Sequence, residues 1–164
     1  MRRFRYRLPS PWNEILLFLL GGYFLFCAFY HLAPVTRDDA PLVQAAYERW
    51  DLTSAQKRQN QDIRLTFTQH AYGLVNDAFV TDELKSYLDQ LQPGNILAFR
   101  MHPHSHTLLE LSHDGRLLLD FDEAVAQLKR DRIFTTVIGL FCCGTAAFLY
   151  AQNRKKKSTK KTAS

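Results

Sequence analysis

Between Thr36 and Arg132 the chain has no cysteine. All three, Cys27, Cys142 and Cys143, lie inside long apolar runs. That excludes a disulfide framework and a Cys-x-x-Cys redox or thiolate-metal motif from the polar part of the chain. Inside the runs, cysteine serves as a small, polarizable packing residue, too deep for palmitoylation near the headgroups. Also missing are a glycine-rich phosphate loop and a nucleophile with a suitably spaced base. The expectation is therefore a non-catalytic protein with no catalytic residues, no resident metal and no cofactor. Ionic charge is scarce in the runs themselves. Trp12 to Leu32 carries one Asp, Glu, Lys or Arg side chain, Glu14, and Ile133 to Ala151 carries none.

Each run is about as long as the roughly 20 residues a helix needs to cross a hydrocarbon core. Each is flanked on its outer edge by basic residues: Arg2, Arg3, Arg5 and Arg7 before the first, and Arg154, Lys155, Lys156, Lys157, Lys160 and Lys161 after the second. The stretch 36–132 holds 11 basic and 15 acidic side chains, net −4, so the chain's +5 resides in its tails. Basic residues near span ends stay cytoplasmic. Lys129, Arg130 and Arg132, just outside the second run, oppose that bias with three charges against six. The organisation expected is a basic cytoplasmic tail (1–11), a transmembrane helix (12–32), an extracytoplasmic domain (36–132), a second transmembrane helix (133–151) and a basic disordered cytoplasmic tail (152–164). A bacterial inner (plasma) membrane is the natural setting; an endoplasmic reticulum membrane with a lumenal domain obeys the same charge rule. The first run exceeds the roughly 7 to 15 apolar residues of a cleaved signal. Pro34 follows Ala33 and Phe26 precedes Cys27, so an uncleaved signal-anchor is expected.

In the second run Thr135, Gly139, Cys143, Ala147 and Ala151 place a small residue at every fourth position, a pattern that lets another helix approach closely. Depth matching predicts an antiparallel pair crossing near Gly22 and Cys143. The rival is that Gly139, Cys143 and Ala147 serve a homodimer or another membrane protein. Glu14 lies within a turn of the interface, where it reaches water.

The intervening domain reads as α+β: a small antiparallel sheet with one inserted and one terminal helix. Thr81 caps a helix carrying Leu84, Tyr87, Leu88 and Leu91, stopped by Gln92-Pro93-Gly94. Leu97, Phe99 and Met101 alternate as in a half-buried strand. Asp114-Gly115 joins Thr107–Ser112 to Arg116–Phe121 in a hairpin. Strands are also expected over Ile63–Thr68 and Tyr72–Val80. Leu42 to Leu52 fits both helix and strand periodicities and leans to a strand, paired across the loop Ser54–Gln61. Phe121, Val125 and Leu128 line a last helix, capped by Asp120 or Asp122, that continues into the second run. A half-barrel is compatible with this size.

Chemistry concentrates in His102-Pro103-His104-Ser105-His106. Alternating histidines on a strand could hold Zn²⁺, Ni²⁺ or Cu²⁺, but Pro103 breaks a ladder, and surface-turn histidines without a ligand role are the expectation. Asp38-Asp39 and Asp120, Asp122 and Glu123 fit a solvated linker and a helix start. The C-terminal basic run beside an apolar helix anchors topology and attracts anionic lipid headgroups rather than nucleic acid. The partners expected are the bilayer and a second protein, with a membrane-tethered metal or small-ligand binder as the alternative function.

Overall fold

The computed structural model describes residues 12–53, 61–68 and 71–161, with side chains to residue 154. The elements are α1 (Trp12–Tyr30), β1 (Val43–Leu52), β2 (Ile63–Phe67), β3 (Tyr72–Val75), α2 (Asp82–Gln90), β4 (Ile96–Met101), β5 (Leu108–His113), β6 (Arg116–Leu119) and α3 (Phe121–Lys161). The fold is α+β, with a six-stranded antiparallel sheet of order β3-β2-β1-β4-β5-β6. Two compact units result. Leu32–Arg130 form one; α1 and α3 from Asp131 onward belong to the other.

In the first unit β1 is shared between two ladders. Val43–Ala46 pair with β4 and Tyr47–Leu52 pair with β2. The register slips between Tyr47 and Arg49, a bulge at Glu48 that bends the strand and lets it serve both neighbours. Strands β1, β2 and β3 follow one another, and β4 returns after α2 to the free side of β1, which is a Greek key. Leu74 then makes a parallel bridge to Thr107, and its N–H donates to the His106 carbonyl at 2.9 Å. With β3 brought round to the start of β5, five strands form a partly open Greek-key barrel of the OB type, and β6 is an added hairpin strand.

The core follows from alternation along the strands. Ile63, Leu65 and Phe67 of β2 point inward, as do Leu97 and Phe99 of β4, and the Phe67 and Phe99 rings stack at 4.4 Å. Leu108 and Leu109 are adjacent yet both fully buried, because a register shift where Arg100 and Met101 pair with β5 gives that strand one extra residue. Leu84 and Leu88 of α2 and Phe121, Ala124 and Leu128 of α3 join the same core. The Thr81 hydroxyl accepts from the Leu84 N–H at the start of α2. Asp120 is the residue that opens α3, accepting from the N–H groups of Asp122 and Glu123. Asp114 (φ 48°) and Gly115 (φ 78°) both occupy the left-handed region, as a type I′ hairpin turn requires.

Two strands stop earlier than their apolar patterns suggest. β3 ends at Val75 rather than Val80, since the Asn76 side chain accepts from Ala78 N–H and turns Asp77–Phe79 into a 3-10 turn. β6 ends at Leu119 because Asp120 is committed to capping. Leu42–Leu52 is a strand from Val43 onward; most of the loop expected after it, 54–60, lies outside the described residues.

Closure of the barrel depends on a missing side chain. A Cβ at Gly73 would lie 2.6 Å from Leu108 Cδ2 and 2.7 Å from Leu108 Cγ, a side chain that is itself 1% exposed. Gly73→Ala is expected to cost about 1 to 3 kcal/mol through overpacking. Denaturant midpoints check it, and Gly73→Ala/Leu108→Ala should cost less than the two changes summed.

Candidate functional site

The histidine segment closes the end of β4. His102 is 1% exposed. Its Nδ1 accepts from the His104 N–H at 3.1 Å, so the ring proton resides on Nε2, which donates to the Ala33 carbonyl at 3.2 Å. The expectation of a surface histidine fails here, because His102 extends the β4 register and its N–H still donates to the Thr107 carbonyl. His106, at φ 50°, stacks on Tyr72 at 4.7 Å, and Arg64 lies over the other partner of that stack, 5.0 Å from the Tyr72 ring centre. His113 stands elsewhere, its Nδ1 2.8 Å from the Tyr87 hydroxyl. Among the described residues no group of three or more His, Cys, Asp or Glu comes together to hold a metal.

His102 belongs instead to a clamp on the segment 33–40, which precedes the barrel. Arg100 Nη1 donates to the carbonyls of Ala40 (2.6 Å) and Arg37 (3.1 Å), and its Nε donates to Glu110 at 3.1 Å. Ala40 and Val35 are buried in the core. Arg37 reaches Asp122 at 3.2 Å and lies over the Phe121 ring. The acidic pair Asp38-Asp39 divides its work: Asp39 accepts from the Thr36 hydroxyl and amide, which hold its carboxyl below the ordinary carboxylate range.

A second cluster holds α2 to the β5–β6 hairpin. Tyr87 bonds His113, and Arg116 lies 4.8 Å over the Tyr87 ring and pairs with Glu83 at 2.8 Å; separately, Trp50 of β1 donates to Asp89 and ties α2 to that strand. The first two pairs have sequence separations of 26 and 29, and no spacing rule brings them together. What they build is attachment. The remaining titratable group of note is Asp62, whose carboxyl is pushed up by burial and by the Asp77 charge, against the pull of the Asp77 N–H it accepts.

The helical unit is an antiparallel pair. Glu14, near the start of α1, accepts from Asn153 of α3, and Arg132 lies over the Phe29 ring near the other end. The crossing uses Gly21 rather than Gly22. A Cβ at Gly21 would sit 2.5 Å from Cys143 Sγ and 2.8 Å from the Gly139 carbonyl oxygen, whereas one at Gly22 would meet nothing within 4 Å. On α3 the contact face runs Gly139, Cys143, Ala146, and Ala147 is exposed. Steps of four overshoot one 3.6-residue turn by about 40° each, so Ala147 and Ala151 rotate off the face that Gly139 begins. Thr136 and Thr145 donate their hydroxyls to the carbonyls of Arg132 and Phe141, which satisfies both groups within the helix.

One outward row of the barrel has no charge, bordered on the same face by the Arg100–Glu110 ion pair. Gln44, Ala98, Ser112 and Leu117 are cross-strand neighbours on β1, β4, β5 and β6, and Ile96 stands opposite Ala46 one row away. Their neighbours Leu97, Phe99 and Leu111 point into the core, so this row faces outward. Ile96 and Leu117 are 53% and 52% exposed. Compared with protein-family models, curated proteins and solved structures, the chain matches none.

Two outcomes are expected. Gly21→Leu should slow disulfide trapping of a Glu14→Cys/Asn153→Cys pair by about tenfold or more, while Gly22→Leu leaves it unchanged. For Asp62, a folded pKa above the unfolded one contributes most below the ordinary carboxylate range and loses that contribution as pH rises through the raised value. Asp62→Asn, which keeps an acceptor for the Asp77 N–H, should therefore raise the denaturant midpoint at about pH 7 and leave it unchanged at about pH 3.

Proposed function

We propose that the chain is a non-catalytic integral membrane protein with two spans and both tails in the cytoplasm, whose extracytoplasmic barrel binds another protein or supports an envelope complex. Support for the spans comes from length and composition. α1 has 19 residues, roughly 28 Å at about 1.5 Å per residue, against a hydrocarbon core of about 30 Å. α3 contains an apolar stretch of similar length, and both helices are apolar enough to cross a membrane. The basic tails support the orientation.

The uncharged row Gln44, Ala98, Ser112, Leu117 with Ile96 and Ala46 carries the binding reading. It lies on a domain whose net charge is −4 and whose surface is otherwise rich in Asp, Glu, Lys and Arg. An outward row of uncharged residues with apolar side chains at its margins suits contact with a protein rather than catalysis. β6 lies at the edge of the sheet beside this face, and an edge strand offers unpaired backbone groups to an added strand. The polar clusters that could suggest chemistry are consumed by the clamp on 33–40 and by the attachment of α2.

Photocrosslinkers at Ile96 and Leu117, with Arg49 and Asp82 as exposed controls, test the reading in native membranes. One discrete adduct from the first two positions is expected, and Ile96→Glu/Leu117→Glu should lower its yield about tenfold or more with a stability change of about 0.5 kcal/mol or less per site. Equal labelling from all four positions would reject the surface. Recovery of the whole chain in the aqueous supernatant without detergent would reject the spans.

A further inference from the structure

The turn from His102 to Thr107 carries the seam of the barrel, and a buried titratable ring sits at its base. His102 is 1% exposed, while Pro103, His104 and His106 are exposed. The buried ring serves as a neutral group. Its Nδ1 accepts from the His104 N–H at 3.1 Å and its Nε2 donates to the Ala33 carbonyl at 3.2 Å. The same turn holds strain. His106 stands at φ 50°, a left-handed conformation that a non-glycine residue keeps only where its surroundings hold it. In that conformation its carbonyl accepts from the Leu74 N–H at 2.9 Å, beside the bridge that joins β3 to the start of β5. All of these groups lie within the unit Leu32–Arg130, so nothing here depends on the proposed spans.

A proton added to His102 goes to Nδ1, because Nε2 already carries one. Two N–H donors then face each other across 3.1 Å, and the His104 N–H has to leave. The bond to Ala33 survives, since a charged ring still donates there. The exposed turn therefore yields, and the segment 33–40 stays. Once His104 swings away, His106 relaxes to negative φ and its carbonyl leaves Leu74. We propose that His102 is a proton-sensitive latch on the β3–β5 seam: neutral, it holds the barrel closed; charged, it releases the turn 103–106 and opens the seam while the rest of the sheet stays paired.

The other titratable and charged groups on the surrounding elements are accounted for. The His104 ring centre is 5.9 Å from that of His102. Arg100 pairs with Glu110, Arg37 with Asp122, and Asp39 with Thr36, while Asp38 is exposed. His31 packs on Phe26 and Tyr30, and Arg64 lies over Tyr72, on which His106 stacks. Burial and an accepting Nδ1 both favour the neutral ring of His102. Its contribution to closure is thus complete above the ordinary histidine value, about pH 6.5, and is lost as pH falls below it.

Hydrogen exchange of the full-length chain, read at single amides and divided by the intrinsic rate at each pH, tests the latch. Between about pH 7.5 and about pH 5 the His104 and Leu74 amides should lose about tenfold or more of their protection, while the β1–β4 ladder keeps its own. His102→Gln offers an amide oxygen to His104 and an amide N–H to Ala33 with no proton to gain, so its seam should stay protected at both pH values. His104→Ala and His106→Asn, which remove the neighbouring rings, should keep the loss. Unchanged protection of the wild-type seam overturns the proposal, as does a loss shared by the β1–β4 ladder, which is plain acid unfolding. So does a loss that persists in His102→Gln or disappears with either neighbouring ring. Should His102→Gln not fold, imidazole ¹⁵N shifts of the wild-type chain decide: His102 Nδ1 has to gain its proton over the pH range in which Leu74 loses protection, and a mismatch overturns the latch.

Discussion

A strand that must hydrogen-bond along both edges to two different partners has little freedom, and β1 is that strand. Its first four residues belong to β4 and its last six to β2. The bulge at Glu48 supplies the bend between them. Without it Tyr47 and Trp50 would not both face the core, since strict alternation puts residues an odd number apart on opposite sides. Tyr47 is 4% exposed and Trp50 packs against the same core. Closure of β3 against β5 then follows, and it needs the bare backbone at Gly73. The clamp on 33–40 depends on the same geometry, because Arg100 and His102 lie on and just past the end of β4, whose position β1 sets.

The helical unit obeys a different rule. Under the proposed two-span reading its surroundings are hydrocarbon, where no hydrophobic force acts between helices, so close packing and satisfied polar groups decide the contact. Gly21 and Ala28 on α1 and Gly139 and Ala146 on α3 are the most buried positions, each pair seven residues apart. A seven-residue repeat stays on one side of a pair of helices that coil gently about each other. A four-residue repeat does not. That difference separates Ala146, which packs, from Ala147, which is exposed.

Periodic features were legible from the chain alone. The Thr81 cap, the Asp114-Gly115 turn, the alternation in β2 and β4 and the passage of the last helix into the second apolar run are local patterns, and the residues that make them lie within a few positions of each other. Long-range choices were not legible. Nothing near Gly21 distinguishes it from Gly22; only the position of Cys143 and Gly139 does. The fate of His102 is set by the Ala33 carbonyl, 69 residues away. The early end of β3 had a local signal that periodicity overlooks, since Asn76-Asp77 favours a side-chain-supported turn over an extended strand. The contacts of Tyr87 with His113 and Arg116 were invisible for want of a topology.

A Greek-key barrel of this kind hosts many unrelated activities, so the architecture alone selects none. The distribution of side chains across its surface does discriminate. On the β2–β3 side, where such barrels often take ligands, Arg64, Tyr72 and His106 stack on one another. A planar ligand there would have to break that stack before forming its own. The α2 side holds a pocket of about 220 Å³ whose wall includes Glu83, Tyr87 and Arg116, side chains already engaged with one another or with His113. The outward face of β1, β4, β5 and β6 differs. Gln44, Ala98 and Leu117 offer little that must be unmade, and the Ser112 hydroxyl turns back to the Ala98 carbonyl at 3.4 Å. Under the proposed binding reading, a partner covering that row would displace water from Ile96 and Leu117 without stranding a charge of the row itself.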